Sequence, residues 1–108
     1  MVLSELYQPI YNHPELYDKS SRPCEDRLVE IKKVYHLLSG KLGRPLRVLD
    51  LGCNIGYMSF SLASLGAQVT GVEVFEYNTD VCRLLAQEHS DYKVNFELDK
   101  IENVMYKL

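Results

Sequence analysis

Residues 48–60, VLDLGCNIGYMSF, pass from an apolar run into two glycines and then into a helical pattern. No other stretch constrains the fold as much. An apolar run of this kind suits a strand buried in a parallel sheet, where both faces are covered. A glycine turn leading straight into a helix is how such a strand enters its crossover. The rest of the chain repeats the pattern. Leu46–Leu51 reads as the first strand, Ala67–Glu73 as the second with Val69, Thr70 and Val72, and Tyr92–Leu98 as the third, alternating through Val94, Phe96 and Leu98. Helical signals run from Gly56 to Leu65, closed by Gly66. A second helix runs from an Asn78 cap to His89, with Val81, Cys82, Leu84 and Leu85 facing inward. Ile101, Val104, Met105 and Leu108 carry the spacing of a last helix. The order βαβαβ implies an α/β protein with a Rossmann-like parallel sheet and right-handed crossovers. Ligands of such sheets sit beyond the carboxyl ends of the strands, at the switch point beside the first strand.

Ahead of the strands, residues 1–22 are loop-like, with Tyr7, Tyr11 and Tyr17 among Pro9, Asn12, His13 and Pro14. A helix is expected from Pro23, a residue suited to the first helical position, with Glu25 and Asp26 at the positive end of its dipole. Leu28, Ile31, Tyr35 and Leu38 give it an apolar face, and Gly40 is its expected stop. The length of 108 residues suits one small domain. A net charge of −3 gives no long-range pull toward nucleic acid or anionic lipid. No apolar run approaches the roughly 20 residues of a transmembrane helix, and MVLSELYQPI lacks the features of a signal peptide. Cys24, Cys53 and Cys82 are odd in number and form no C-x-x-C pair, which points to reduced thiols in a cytoplasm and away from a metal site or disulfide framework. His13, His36 and His89 are scattered and read as surface or loop residues.

The chemistry lies in the glycine turn. Gly52-Cys53-Asn54-Ile55-Gly56 lacks the middle glycine of a G-x-G-x-x-G dinucleotide fingerprint, and no Gly-Lys-Ser/Thr follows it. Asp50, just ahead, would repel a phosphate but pair with an ammonium. The expected ligand carries a nucleoside and a cationic amino group, the constitution of S-adenosylmethionine. Glu73 ends the second strand, about twenty residues beyond the turn, where an acid can accept both ribose hydroxyls. Val74 and Phe75 can cover an adenine face, and Asp99, at the end of the third strand, can accept from the adenine amino group. Each acid also has a plainer reading: Asp50 as a turn cap, Glu73 as a solvated loop charge that contributes little packing, and Asp99 as the cap of the last helix. All three stand at strand ends on one edge of one sheet, which favours the ligand reading.

VLDLGCNIGYMSFSLASLGAQVTGVE resembles the stretch from motif I to the acidic second-strand end of class I S-adenosylmethionine-dependent methyltransferases. LYQPIYNHPE, the segment through Arg27, and LGRPLRVLDLGC are similar to the N-terminal region of O-antigen chain-terminating methyltransferases. In those bifunctional bacterial enzymes a methyltransferase domain precedes a kinase domain and caps a growing lipopolysaccharide chain. The resemblance implies that residues 1–45 form an N-terminal lid and residues 46–108 the cofactor-binding βαβαβ half of a single methyltransferase domain. It implies that Tyr7 and Gln8 close over the cofactor, and that Arg27 reaches its carboxylate with a forked guanidinium. Gly52, with Cys53 and Gly56 in the same motif, would lie along the methionine part, Glu73 to Asn78 along the ribose and adenine, and Asp99, Lys100 and Ile101 around the adenine edge. The family often has Asp where this chain has Glu73. Tyr7 and Arg27 can equally be a packed loop aromatic and a solvated helix charge. The family builds a seven-stranded sheet, of which only the first three strands are expected here, so no catalytic residue can be named. The expected acceptor is a polysaccharide or phosphorylated glycan, and the expected location is the cytoplasm or the inner face of the membrane through partners. Two rival readings stay open: a catalytically silent cofactor-binding or interaction module, and an NAD- or nucleotide-binding unit. An unpaired first strand would favour self-association.

Overall fold

Three parallel strands make one sheet in the computed structural model, which describes residues 7–20 and 24–107. They are β1 (Arg47–Leu51), β2 (Gln68–Glu73) and β3 (Val94–Leu98), lying side by side in that order. Helix α1 (Glu25–Leu42) precedes them, α2 (Tyr57–Ala63) and α3 (Glu76–Glu88) connect them, and α4 (Ile101–Met105) follows. This is the expected βαβαβ order, with each strand starting one or two residues later than the sequence suggests. Pro14–Lys19 add a 3-10 helix to the N-terminal segment. Pro23 and Leu108 lie outside the described residues.

The register explains the core. Val48 pairs with Val69 and Val69 with Val94, so the three valines share one face. Tyr35 of α1 and Leu62 and Ala63 of α2 pack on that face. One step further along, Gly71 pairs with Phe96. The Phe96 ring packs with Phe60, Cys53, Cys82 and Leu85. Gly71 makes room for them, because a Cβ there would lie 2.7 Å from the Phe96 ring and 2.9 Å from Cys53 Sγ. Burying side chains such as Phe60 and Leu85 contributes about 1.5–3 kcal/mol each. A third cluster, Cys24, Leu28 and Tyr57, ties the start of α1 to the start of α2.

The N-terminal segment is built into this core. Pro9 is buried, the Tyr11 ring stacks on Phe60 with centroids 5.5 Å apart, and the Tyr11 and Tyr92 hydroxyls hydrogen-bond at 2.9 Å. That bond, with burial, pushes the Tyr92 hydroxyl up to about 12. His13 presents Nδ1 to Glu15 at 3.0 Å and Nε2 to Glu88 of α3 at 2.7 Å.

Several expectations are corrected. β1 is not buried on both faces: Leu49 and Leu51 are each 37% exposed. Alternate strand residues take opposite faces, and α1 and α2 cover only the Val48 and Asp50 side of β1. Gly40 does not stop α1, which runs on to a left-handed cap at Gly43 with φ 66°. Asn78 does not cap α3, because the helix starts at Glu76 after Phe75, and the Asn78 amide donates to Glu73 instead. Leu84 is 63% exposed, since the inward stripe follows Cys82 and Leu85 and Leu84 lies outside it. In α4 only Val104 is buried, while Ile101 and Met105 are exposed. His89 is not a plain surface residue: it stacks on Tyr92 at 4.7 Å, and its buried Nε2 has no hydrogen-bond partner among the described residues.

Candidate functional site

The glycine turn is hooked to the neighbouring strand. The N–H groups of Gly52 and Cys53 both donate to the Val72 carbonyl, at 2.8 and 3.0 Å. Asn54 then takes a left-handed conformation, φ 55°, unusual for a residue with a side chain but most accessible to Asn and Asp. It is held from both sides. Its N–H donates to Glu73 Oε1 at 3.0 Å, and its carbonyl accepts from the Cys82 thiol at 3.2 Å. Gly56 starts α2 at φ 91°, and a Cβ there would meet the Phe60 ring at 2.9 Å, so only glycine satisfies both demands. The next N–H, of Tyr57, donates to Gln8 Oε1 at 3.3 Å, which brings the N-terminal segment onto the turn.

The three acids have different surroundings. Asp50 points to the helix side of β1, where Ser59 Oγ donates to Oδ2 at 2.6 Å. Burial raises its pKa, and the Ser59 bond works against that rise. Glu73 is only 5% exposed and accepts from three groups: the Asn54 N–H, the Phe75 N–H at 3.1 Å and Asn78 Nδ2 at 3.2 Å. The reading of Glu73 as a solvated loop charge is therefore corrected. It clamps the glycine turn to the β2–α3 junction. An ionised carboxylate has about four acceptor positions, so Glu73 keeps capacity for a ligand hydroxyl. Asp99 accepts from the Lys100 N–H at 2.8 Å and Asn103 Nδ2 at 2.9 Å, which together lower its pKa with the Asn103 bond as the larger cause. Its side chain holds the start of α4, and its N–H donates to the Glu73 carbonyl at 3.0 Å, so the ends of β2 and β3 are adjacent.

Asp50, Gly52, Cys53, Gly56, Glu73, Phe75, Asn78 and Asp99 thus belong to one connected end of the sheet, with Gln8 joined through Tyr57. Val74 and Phe75 expose apolar side chains just past β2, and Lys100 and Ile101 are exposed at the start of α4. Tyr7 is about half exposed. Arg27 stands exposed in the first turn of α1, next to Leu28, which packs on Tyr57. Hydrogen bonding with Cys82, then burial, pushes the Cys53 thiol up, which favours its protonated form. Sequence reasoning missed Ser59 and Asn54. The available signals were a serine on the buried side of the helix that follows the turn and an Asn in the place of a middle glycine.

Several features bear on what this end of the sheet can hold. No Lys or Arg occurs between Arg47 and Arg83, so the stretch from β1 through the turn and β2 supplies no cation of its own. It offers two carboxylates instead, and at Gly52 a Cβ would meet nothing within 4 Å, which leaves space over the turn. Among the described residues no group of His, Cys, Asp and Glu could hold a metal ion, and no helix is long and apolar enough to cross a membrane.

Residues 49–107 match the family described as a methyltransferase domain. The chain belongs to that family. S-adenosylmethionine is the cofactor of such methyltransferase domains, and the donor set here fits it: acids for an ammonium and ribose hydroxyls, apolar side chains for an adenine, and no cation within the turn itself. The methyltransferase chain is 46% identical over 106 residues to the O-antigen chain terminator bifunctional methyltransferase/kinase WbdD of Escherichia coli, covering 98% of this chain and 15% of that protein. A 2.2 Å crystal structure of WbdD superposes with a TM-score of 0.94 at 46% identity, covering 96% of this chain and 24% of the other. The ubiquinone biosynthesis O-methyltransferase of Bordetella pertussis is 40% identical over 78 residues, 72% of this chain and 30% of that protein. The chain therefore spans less than a third of the length of these relatives.

Proposed function

We propose that this methyltransferase domain binds S-adenosylmethionine over its glycine turn and serves an enzyme that methylates the end of a surface polysaccharide. The observation that carries the cofactor half is the pair of strand-end acids, Asp50 and Glu73, flanking a glycine turn that carries no cation of its own. The polysaccharide half is supported by the 46% identity to an O-antigen chain terminator over 98% of the chain. Bound cofactor supplies an activated methyl group as a sulfonium, and the chain's residues hold and orient it. Asp50 pairs with the ammonium, and Gly52 and Cys53 lie along the methionine part. Glu73 uses its remaining acceptor capacity on the ribose, with Val74, Phe75 and Asn78 beside it. Asp99, Lys100 and Ile101 border the adenine edge. Arg27 takes the carboxylate, while Tyr7 and Gln8 in the 1–45 lid cover the site. The acceptor is a polysaccharide or phosphorylated glycan, met in the cytoplasm or at the inner face of the membrane through partners.

Calorimetry with S-adenosylhomocysteine and with NAD tests the cofactor reading. Binding of the first without the second is expected, and the reverse overturns it. Transfer of labelled methyl to an O-antigen polysaccharide or its phosphorylated end by the whole enzyme tests the acceptor; transfer only to a small phenol would refute it.

We also propose that the 108-residue chain pairs with a second copy of itself along β1. Among the described residues β1 pairs only with β2, and Leu49 and Leu51 leave its outer face apolar. An unpaired apolar edge of this kind recruits another strand. Sedimentation should show dimers or larger species, and a stable monomer refutes the pairing.

A further inference from the structure

We propose that Ser59 is a positioning residue for the methyltransferase site, its hydroxyl fixing from inside α2 the Asp50 carboxylate that meets the amino-acid end of the cofactor. The inference rests on the cofactor reading above. Three serines in and next to α2 make the contrast. Ser61 Oγ donates to the Tyr57 carbonyl at 2.7 Å and Ser64 Oγ to the Ser61 carbonyl at 2.6 Å, the usual local bonding of helical serines. Ser59 does otherwise. It is fully buried, and its one donor crosses to the sheet, reaching Asp50 Oδ2 at 2.6 Å. That length falls in the short range of a hydroxyl donating to a charged oxygen. Ser59 follows Gly56 by about one helical turn, so the tight turn that only Gly56 permits also aims this hydroxyl back at β1.

Asp50 needs such a hold. Oδ2 takes the Ser59 bond, and Oδ1 makes no hydrogen bond among the described residues. The Cys53 thiol on the turn feels both the Asp50 and the Glu73 carboxylates, and among the described residues no cationic group acts on Asp50. Burial therefore disfavours the charged form, and the hydrogen bond from Ser59 opposes this. A carboxylate fixed at one oxygen and unpaired at the other is prepared for an ammonium. The same geometry gives no such advantage to a ligand without one.

The test compares Ser59→Ala with the wild-type chain, titrating S-adenosylhomocysteine and adenosine by calorimetry from pH 5 to pH 9. Loss of the bond makes Asp50 harder to ionise, so the acid limb of S-adenosylhomocysteine binding should move to higher pH. On that acid limb the affinity should fall about tenfold, the scale of one charge-assisted hydrogen bond. Adenosine, which lacks the ammonium, should bind as before. In parallel, the Asp50 carboxyl followed by carbon NMR should titrate at higher pH in Ser59→Ala, a readout that needs no ligand. Equal losses for both ligands, or an acid limb and an Asp50 titration that stay in place, would overturn the positioning role. A wild-type chain that binds adenosine no worse than S-adenosylhomocysteine would instead overturn the cofactor reading, and this proposal with it.

Discussion

Glu73→Ala tests fold and function together. The carboxylate is buried and accepts from the Asn54 N–H at 3.0 Å, the Phe75 N–H at 3.1 Å and Asn78 Nδ2 at 3.2 Å. Truncation to a methyl leaves two backbone donors and one amide without an acceptor. A buried donor left unpaired costs about 1–3 kcal/mol. Asn54 is only partly buried and Phe75 is exposed, so water restores part of that cost. The expected loss of stability is about 2–3 kcal/mol, a large share of the roughly 5–15 kcal/mol that holds a natural domain. The same change removes the proposed ribose acceptor and should weaken S-adenosylhomocysteine binding by about 1–3 kcal/mol. Glu73→Gln keeps one acceptor oxygen but turns an amide toward donors, so its stability should fall between the two. Urea unfolding followed by circular dichroism, with the slope unchanged, reads the first effect, and calorimetry reads the second. A midpoint indistinguishable from wild type would refute the clamp. Lost stability with unchanged affinity would keep the clamp and remove the ribose role.

Gly71→Ala should destabilise the chain by about 1–3 kcal/mol in the same unfolding assay, because its Cβ would sit 2.7 Å from the Phe96 ring. Phe96→Leu in the same chain should recover part of that loss, and an unperturbed Gly71→Ala midpoint would contradict the close packing. Arg27→Ala should weaken S-adenosylhomocysteine more than adenosine, with Arg27→Lys a partial rescue because a point charge replaces a fork; equal losses would rule out a carboxylate contact. Hydrogen bonds to Glu88 first and Glu15 second raise the His13 pKa above 6.5, so its latch to α3 is complete below that value and is lost as pH rises through the folded one. Its imidazole resonances should titrate with a midpoint above 6.5 that falls in Glu88→Gln, and a midpoint at or below 6.5 would refute the latch.

The βαβαβ order, the glycine turn and the acids that end β1 and β2 are legible in the order of residues alone. These rest on local rules: apolar runs, residues that stop or start helices, and a charge unsuited to a phosphate. Tertiary structure decided what those groups touch. Leu49 was legible as a strand residue, but whether its face is covered depends on which side of the sheet the helices take. Gly40 and Gly43 are both credible helix stops, and only the packed chain puts the left-handed residue at Gly43. Asn78 has the chemistry of a cap, yet Glu73, five residues earlier, claims its amide across the β2–α3 junction. Ser59 and Asp50 stand nine residues apart with no local pattern joining them. Their bond exists because the chain turns at Gly56 and folds α2 back over β1. Local propensity specifies elements and turns, whereas a hydrogen bond between elements depends on distance and burial that arise only when the elements pack.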